Sequence, residues 1–192
     1  SMIVVLGSWT YGFDARGEMT STTDANARTT TATYDALGRP LTRVMPEGSG
    51  SITSTFTWGT SAAAHEIGQL KQQQISGTGV STYSETTTFD SLGRPSQTQY
   101  SEGGNSYFVD TAYSALTGAL DTLTYPTSTS SYRLKLQYDY QNGALLRVKD
   151  YNAPSTVFWQ ANAADARGQV TDTTLGNGLR TVRSLDQVTG WV

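Results

Sequence analysis

The chain has no cysteine among its 192 residues, which excludes a disulfide framework and any thiolate metal site, while leaving the compartment open. Histidine occurs once, as His65. Charge is sparse and scattered: 13 basic against 16 acidic residues give a net charge of −3 and an isoelectric point near 5.0. With no Lys/Arg run, this balance argues against a nucleic-acid groove or a polybasic membrane surface. No apolar run approaches the roughly 20 residues that cross a bilayer as a helix. Met2-Ile3-Val4-Val5-Leu6 is too short, and lacks the basic flank, to be a signal peptide. Ser1-Met2 has the look of a cloning scar, so the chain is expected to be a piece of a longer polypeptide.

What the chain does have is a repeated turn. Thr33-Tyr34-Asp35-Ala36-Leu37-Gly38-Arg39-Pro40 returns as Phe89-Asp90-Ser91-Leu92-Gly93-Arg94-Pro95. An aromatic residue ends a strand, an Asp opens the turn, a Gly takes the left-handed position, and the next residue starts the returning strand. The Asp carboxylate accepts hydrogen bonds from the turn's own N–H groups, and Gly enters the positive-φ region without a Cβ clash. An earlier copy sits at Asp14-Ala15-Arg16-Gly17. From Gly68 onward the turn glycines recur every 25 residues, at Gly68, Gly93, Gly118, Gly143 and Gly168.

A second class of turn alternates with the first: Pro46-Glu47-Gly48-Ser49-Gly50, Ser76-Gly77-Thr78-Gly79, Glu102-Gly103-Gly104-Asn105, Pro126-Thr127-Ser128-Thr129, Asn152-Ala153-Pro154-Ser155 and Gly176-Asn177-Gly178. The segments between turns read as strands, from Ile3–Leu6 onward. Residues 133 to 140 alternate with period two, placing Leu134, Leu136, Tyr138 and Tyr140 on one face and Arg133, Lys135, Gln137 and Asp139 on the other. One face is expected to pack and the other to be wet. The Thr-rich tract 20 to 33 favours strand, loop, strand, without choosing a face. Residues 60 to 66, between Trp58-Gly59 and Gly68, form an enlarged turn, expected to hold a short helical piece.

Self-similarity at this period indicates a repeat architecture. The expected fold is all-β, a single array over residues 1–192 of antiparallel hairpin repeats of about 25 residues. Two strands per repeat advance a sheet by about 10 Å, so some eight repeats would span roughly 80 Å, and strand twist is expected to curl such a sheet into a spiral or roll. The turn-capping residues are Asp14, Gly17, Asp35, Gly38, Asp90, Gly93, Asp139, Gly143, Asp165, Gly168, Asp186 and Gly190.

Tyr34-Asp35 followed by Gly38-Arg39, with the longer variants Ser114 to Gly118 and Asp186 to Gly190, resembles the YD repeat of bacterial Rhs proteins, as does the segment 175 to 186. The resemblance covers essentially the whole chain. Trp58-Gly59, Tyr113-Ser114, Ala164-Asp165 and Leu185-Asp186 depart from the Tyr-Asp pattern. The family, which includes insecticidal toxin complexes and animal teneurins, implies a spiralling β-sheet that walls a hollow shell, enclosing in the toxins a C-terminal toxic segment. For this chain the resemblance implies a structural segment of a secreted or cell-surface bacterial protein. Its partners would be the rest of the same polypeptide and the enclosed cargo. Cargo-releasing Rhs cores resemble aspartyl proteases at a C-terminal site carrying Asp-Pro, a motif absent here, so that activity is not carried over.

The search for chemistry ends in structural readings. His65 lies in the enlarged turn with no nucleophile elbow beside it. One turn Asp per repeat does not set two carboxylates about 5 to 10 Å apart across a cleft, as glycoside hydrolysis requires, nor converge oxygens for calcium. Gly48-Ser49-Gly50 and Gly103-Gly104 lack the lysine of a phosphate loop. No catalytic residue, metal site or cofactor is expected. Aromatics supply the second function class, an extracellular glycan- or protein-binding module, with Trp58 and Trp159 as the stacking candidates; cross-strand packing is the simpler role for both. Open strand edges make edge-to-edge dimerisation of the isolated chain an expectation.

Overall fold

The computed structural model describes residues 7–186 and 188–190. The strand expected at Ile3–Leu6 and the scar expected at Ser1-Met2 lie outside the described residues. Fifteen strands account for the regular structure of the described residues, and the chain divides into two compact units, Ser1–Tyr107 and Phe108–Val192. The first unit holds β1 (Thr10–Phe13), β2 (Met19–Thr23), β3 (Thr29–Tyr34), β4 (Pro40–Glu47), β5 (Gly50–Trp58), β6 (Leu70–Gly77), β7 (Val80–Phe89) and β8 (Pro95–Glu102). β9 (Asn105–Tyr113) begins in the first unit and ends in the second. The second continues with β10 (Leu120–Thr124), β11 (Lys135–Gln141), β12 (Ala144–Asp150), β13 (Val157–Ala164), β14 (Val170–Leu175) and β15 (Arg180–Val182). Within each unit strand order is chain order and every pairing is antiparallel. This is the all-β hairpin array that the turn spacing predicts.

Register sorts the side chains into two faces, because alternate residues point to opposite sides and paired residues share a side. In the first unit one cross-strand row runs Thr33, Thr42, Thr55, Gln74, Ser84, Ser101, all hydroxyls and amides. These groups bond to one another, Thr33 Oγ1 to Thr42 Oγ1 at 2.6 Å and, in the next row, Gln72 Nε2 to Thr86 Oγ1 at 2.9 Å. The opposite face carries Met45, Ile52, Phe56, Trp58, Ile75, Tyr83 and Tyr100.

The second unit repeats the division with charge in place of hydroxyls. Tyr138, Val148, Trp159 and Leu175 form one apolar row, while Asp139, Arg147, Gln160, Thr174 and Arg180 form a polar one behind it. The alternation read at residues 133 to 140 is therefore the real division of β11.

The expected packed face is not covered within either unit. Among the described residues no hydrophobic side chain is buried, and only Gly59, Glu66, Thr122, Asp150 and Asp172 are buried. A single sheet has no second layer to exclude water from its apolar face. Cross-strand contacts therefore leave residues such as Trp58 and Trp159 half-buried.

Candidate functional site: the turn edge

In a meander of hairpins, alternate turns fall on the same edge of the sheet. The Asp-type turns of each unit line up in this way. At Asp35 the backbone closes with Gly38 N–H donating to Asp35 O at 3.1 Å and Asp35 N–H donating to Arg39 O at 2.9 Å. The carboxylate then fills the ring, accepting from Leu37 N–H at 2.8 Å and Arg39 N–H at 3.0 Å, while its second oxygen accepts from Arg39 Nε at 2.7 Å. Asp90 repeats this with Leu92 and Arg94, at 2.9 Å, 3.0 Å and 2.8 Å. Gly38 and Gly93 take φ of 78° and 73°, where a side chain would strain.

Asp14 and Asp165 cap their turns by the same pair of N–H contacts, with Gly17 and Gly168 in the left-handed region. Asp186 caps a longer turn: Val188 N–H and Thr189 N–H donate to Oδ1, and Gly190 N–H closes onto Asp186 O at 2.8 Å. Ser114 does the same with its hydroxyl, closing through Gly118. Both turn lengths seen in the sequence exist.

Asp139 belongs elsewhere. It lies inside β11, and its carboxylate is held by Arg147 and Lys149, not by a turn. The turn here is the two-residue Asn142-Gly143, with φ of 51° and 82° at the two positions. An Asn-Gly pair with positive φ at both centres closes a hairpin without a capping Asp.

Three further carboxylates act structurally that the repeat pattern did not reveal. Asp24 caps the turn between β2 and β3, accepting from Asn26 N–H and Arg28 N–H at 2.9 Å each, with Ala27 at φ 62° where the other copies have Gly. Asp150 accepts from Asn152 N–H, Ala153 N–H and the Tyr132 hydroxyl. Asp172 is gripped by Arg180 and by Asn162 Nδ2 at 3.0 Å.

The enlarged turn contains turns and no helix. Its base keeps the repeat's closure, Gly59 N–H to Gln69 O at 2.9 Å and Gly68 N–H to Gly59 O at 3.1 Å. Gly59 has no carboxylate, and buried Glu66 folds in to replace it, accepting from the backbone of Thr60 and Ser61 and pairing with Lys71 Nζ at 3.1 Å. His65 is exposed at the tip with φ 53°.

Neighbouring turns are tied to each other. Arg16 donates to Ala36 O at 2.8 Å, and Gln69 Nε2 donates to Gly93 O at 3.3 Å. Trp58 Nε1–H donates to Pro40 O at 2.8 Å, and the Arg39 guanidinium lies 4.8 Å from the Trp58 ring centroid. Trp159 sits between Val148 and Leu175 in register.

These partners set the proton affinities. The Arg39 and Arg94 side chains hold Asp35 and Asp90 below the usual carboxylate range, Lys71 does so for Glu66, and turn N–H groups lower Asp14 and Asp186. Arg180 and Asn162 bring Asp172 down to about 2. Burial pushes Asp139 up, but Lys149 and Arg147 outweigh it. Glu18 moves the other way, through desolvation and its neighbour Asp14. A carboxylate stabilised as an anion by its own turn is a poor acid or base near neutral pH. Among the described residues no group of three or more His, Cys, Asp or Glu is placed to hold a metal ion.

Comparison with known proteins agrees with this construction. Residues 13–49 match the RHS repeat model. No curated protein sequence matches the chain. Among solved structures, TcdB2-TccC3 without its hypervariable C-terminal region superposes with a TM-score of 0.73 at 17% identity, over 97% of this chain and 10% of that one. TcdB2-TccC3-Cdc42 aligns at 13% identity over 90% of this chain and 13% of that one, but with a TM-score of 0.31 that carries no argument. The first likeness establishes a shared fold, of which this chain spans about a tenth of the larger partner.

Proposed function

Taking this chain as a member of the RHS (YD) repeat family, we propose that it forms part of the wall of a β-sheet shell enclosing a toxic cargo. The larger polypeptide would be a secreted or surface bacterial protein, in which this segment does no catalysis. The repeat match at residues 13–49 and the fold shared over 97% of the chain support a structural segment like those of Rhs and toxin-complex proteins. The observation that best supports the wall reading is the uncovered apolar face in each unit. Side chains such as Phe56, Ile75, Val148 and Trp159 gain little from folding unless something lies against them. Partners in this reading are the remainder of the polypeptide and its cargo. Limited proteolysis of the parent polypeptide tests it: the cargo segment should resist cleavage while the wall is intact and become sensitive when hairpins of this region are deleted.

A second reading, an extracellular module that binds glycan or protein, is favoured by Trp9, Tyr11 and Phe13, which stand at alternate positions and are 55%, 56% and 61% exposed. A glycan array followed by calorimetry decides it, with Trp58→Ala and Trp159→Ala as companions. Saturable binding that either variant abolishes would replace the wall reading. In either reading the open edges favour pairing of isolated chains, and a monomer at high concentration in light scattering would contradict that.

A further inference from the structure

The sequence holds two Asn-Gly pairs, Asn142-Gly143 between β11 and β12 and Asn177-Gly178 between β14 and β15. At such a pair the glycine nitrogen can attack the side-chain amide carbon of the asparagine, because no Cβ shields it. The two pairs are held differently. Gly178 N–H donates to Leu175 O at 2.9 Å, and Asn177 Oδ1 accepts from Leu179 N–H at 3.1 Å, so both reacting groups are engaged. Among the described residues neither the Gly143 N–H nor the Asn142 carboxamide has a protein hydrogen-bond partner. Residues 141 to 144 are all exposed, and a Cβ at Gly143 would meet nothing within 4 Å.

We propose that Asn142 is a site of spontaneous succinimide formation, which converts it to aspartate and isoaspartate while Asn177 in the same chain stays largely intact. The hairpin holds Asn142 at φ 51° and Gly143 at φ 82°, and the rung that keeps them there is the last one, Gln141 opposite Ala144. An exposed terminal rung opens far more often than the sheet behind it. Each opening frees the rotation about the Asn142 Cα–C bond that brings Gly143 N to Asn142 Cγ. Gly143 N then gives its proton to solvent and bonds to Cγ, the Cγ–Nδ2 bond breaks, and the nitrogen takes a proton from solvent and leaves as ammonia. Water opens the ring at either carbonyl. Cleavage of the new Cγ–N bond gives aspartate in an unaltered main chain; cleavage of the original C–N bond gives isoaspartate, with the side-chain methylene now in the main chain. No oxidant or co-reactant besides water is needed. Either product adds a negative charge, and isoaspartate lengthens a loop that the Asn-Gly turn closes only at its original length. The site stands whether or not the wall reading does.

The test is incubation of the folded chain in mildly alkaline buffer, followed by peptide mapping with mass spectrometry and by enzymatic methylation of isoaspartate. Conversion at Asn142 should outpace that at Asn177 by about tenfold or more, the effect of the two hydrogen bonds that only Asn177-Gly178 has. The product should include isoaspartate, and Asn142→Gln, whose longer side chain misses the favoured ring, should remove most of the methylation signal. In concentrated urea, where neither turn exists, the two asparagines should react at closely similar rates. Equal or faster conversion at Asn177 in the folded chain, or loss of the Asn142 amide without isoaspartate, would overturn the proposal. So would a lead of Asn142 that persists undiminished in urea, because the cause would then be local sequence and not the turn.

Discussion

The indole of Trp58 donates to the carbonyl of Pro40 at 2.8 Å, joining the end of β5 to the first residue after the turn of Asp35. The same ring lies under Arg39, whose guanidinium is also bonded to Asp35. One aromatic side chain thus ties two successive units of the repeat together. Trp58→Ala should lower stability by about 2 kcal/mol, below the range for a fully buried aromatic because Trp58 is half-buried. Trp58→Phe should recover all but the hydrogen bond, about 1 kcal/mol. Urea midpoints of the three proteins check this; equal midpoints for Trp58→Ala and the parent would show that the repeats are not coupled through this ring.

Two glycines separate steric cost from backbone cost. Gly59 has no unusual φ, but a Cβ there would lie 2.2 Å from Glu66 O. Gly79 has φ of 75° with open space around it. Gly59→Ala should therefore force the enlarged turn to move and cost about 3 kcal/mol, the upper end for overpacking. Gly79→Ala should cost about 1 kcal/mol, and Gly79→Asn less, since Asn tolerates the left-handed region. The order of thermal midpoints tests both statements, and a reversed order would contradict them.

Ala27 is the converse case, a side chain held at φ 62° in a turn that otherwise matches the Asp-type copies. Ala27→Gly should raise stability by about 0.5 kcal/mol, the relief of left-handed strain less the extra freedom of the unfolded chain. A fall in the urea midpoint would show that the turn is not strained.

That residue also explains what the sequence conceals. The hairpin array was legible because Gly38, Gly68, Gly93 and Gly168 are demanded by backbone conformation, which a single residue type satisfies best. Where another residue tolerates the conformation, as Ala27 does, the spacing goes silent and the tract 20 to 33 read only as strand, loop, strand. Asp139 misled in the opposite direction. It precedes Gly143 at the interval that separates Ser114 from Gly118, but Asn142 supplies a tighter turn and frees Asp139 for Arg147 and Lys149. Glu66 was hidden by an insertion, since nothing local says that a residue so far from Gly59 will supply the missing anion.

Acid should unfold the sheet in a defined window. The carboxylates of Asp14, Asp35, Glu66, Asp90, Asp139, Asp150, Asp172 and Asp186 are all lowered in the folded chain. A lowered folded pKa means the unfolded chain binds the proton first, so the stabilisation is present above the unfolded value and disappears as pH falls through the folded one. For Asp172 that interval runs from 3.8 to about 2. Glu18 is raised, and its protonation offsets a part of the loss. Urea midpoints should be flat near neutral pH and drop steeply across this interval, with a shallower drop in Asp172→Asn. A midpoint independent of pH down to that range would contradict the assigned partners.

Base gives the complementary test. The Tyr83 hydroxyl donates to Glu85 Oε1 at 2.5 Å, and this bond pushes the phenol up to about 12. The neutral phenol is the stabilised form, so its contribution holds below the unfolded value of about 10 and is lost as pH rises towards about 12. Spectrophotometric titration of the parent against Glu85→Gln should show one tyrosine ionising earlier in the variant; superimposable curves would rule the coupling out.

The proposed place of this chain is in the wall of a shell. Electron cryomicroscopy of the parent polypeptide tests that most directly. The predicted map shows a closed hollow shell in which residues 7–186 form consecutive hairpins of the wall, with one sheet face turned towards enclosed density. A map in which the same hairpins stand as an exposed module, both faces in solvent and no enclosed volume behind them, would contradict it and leave the binding-module reading in its place.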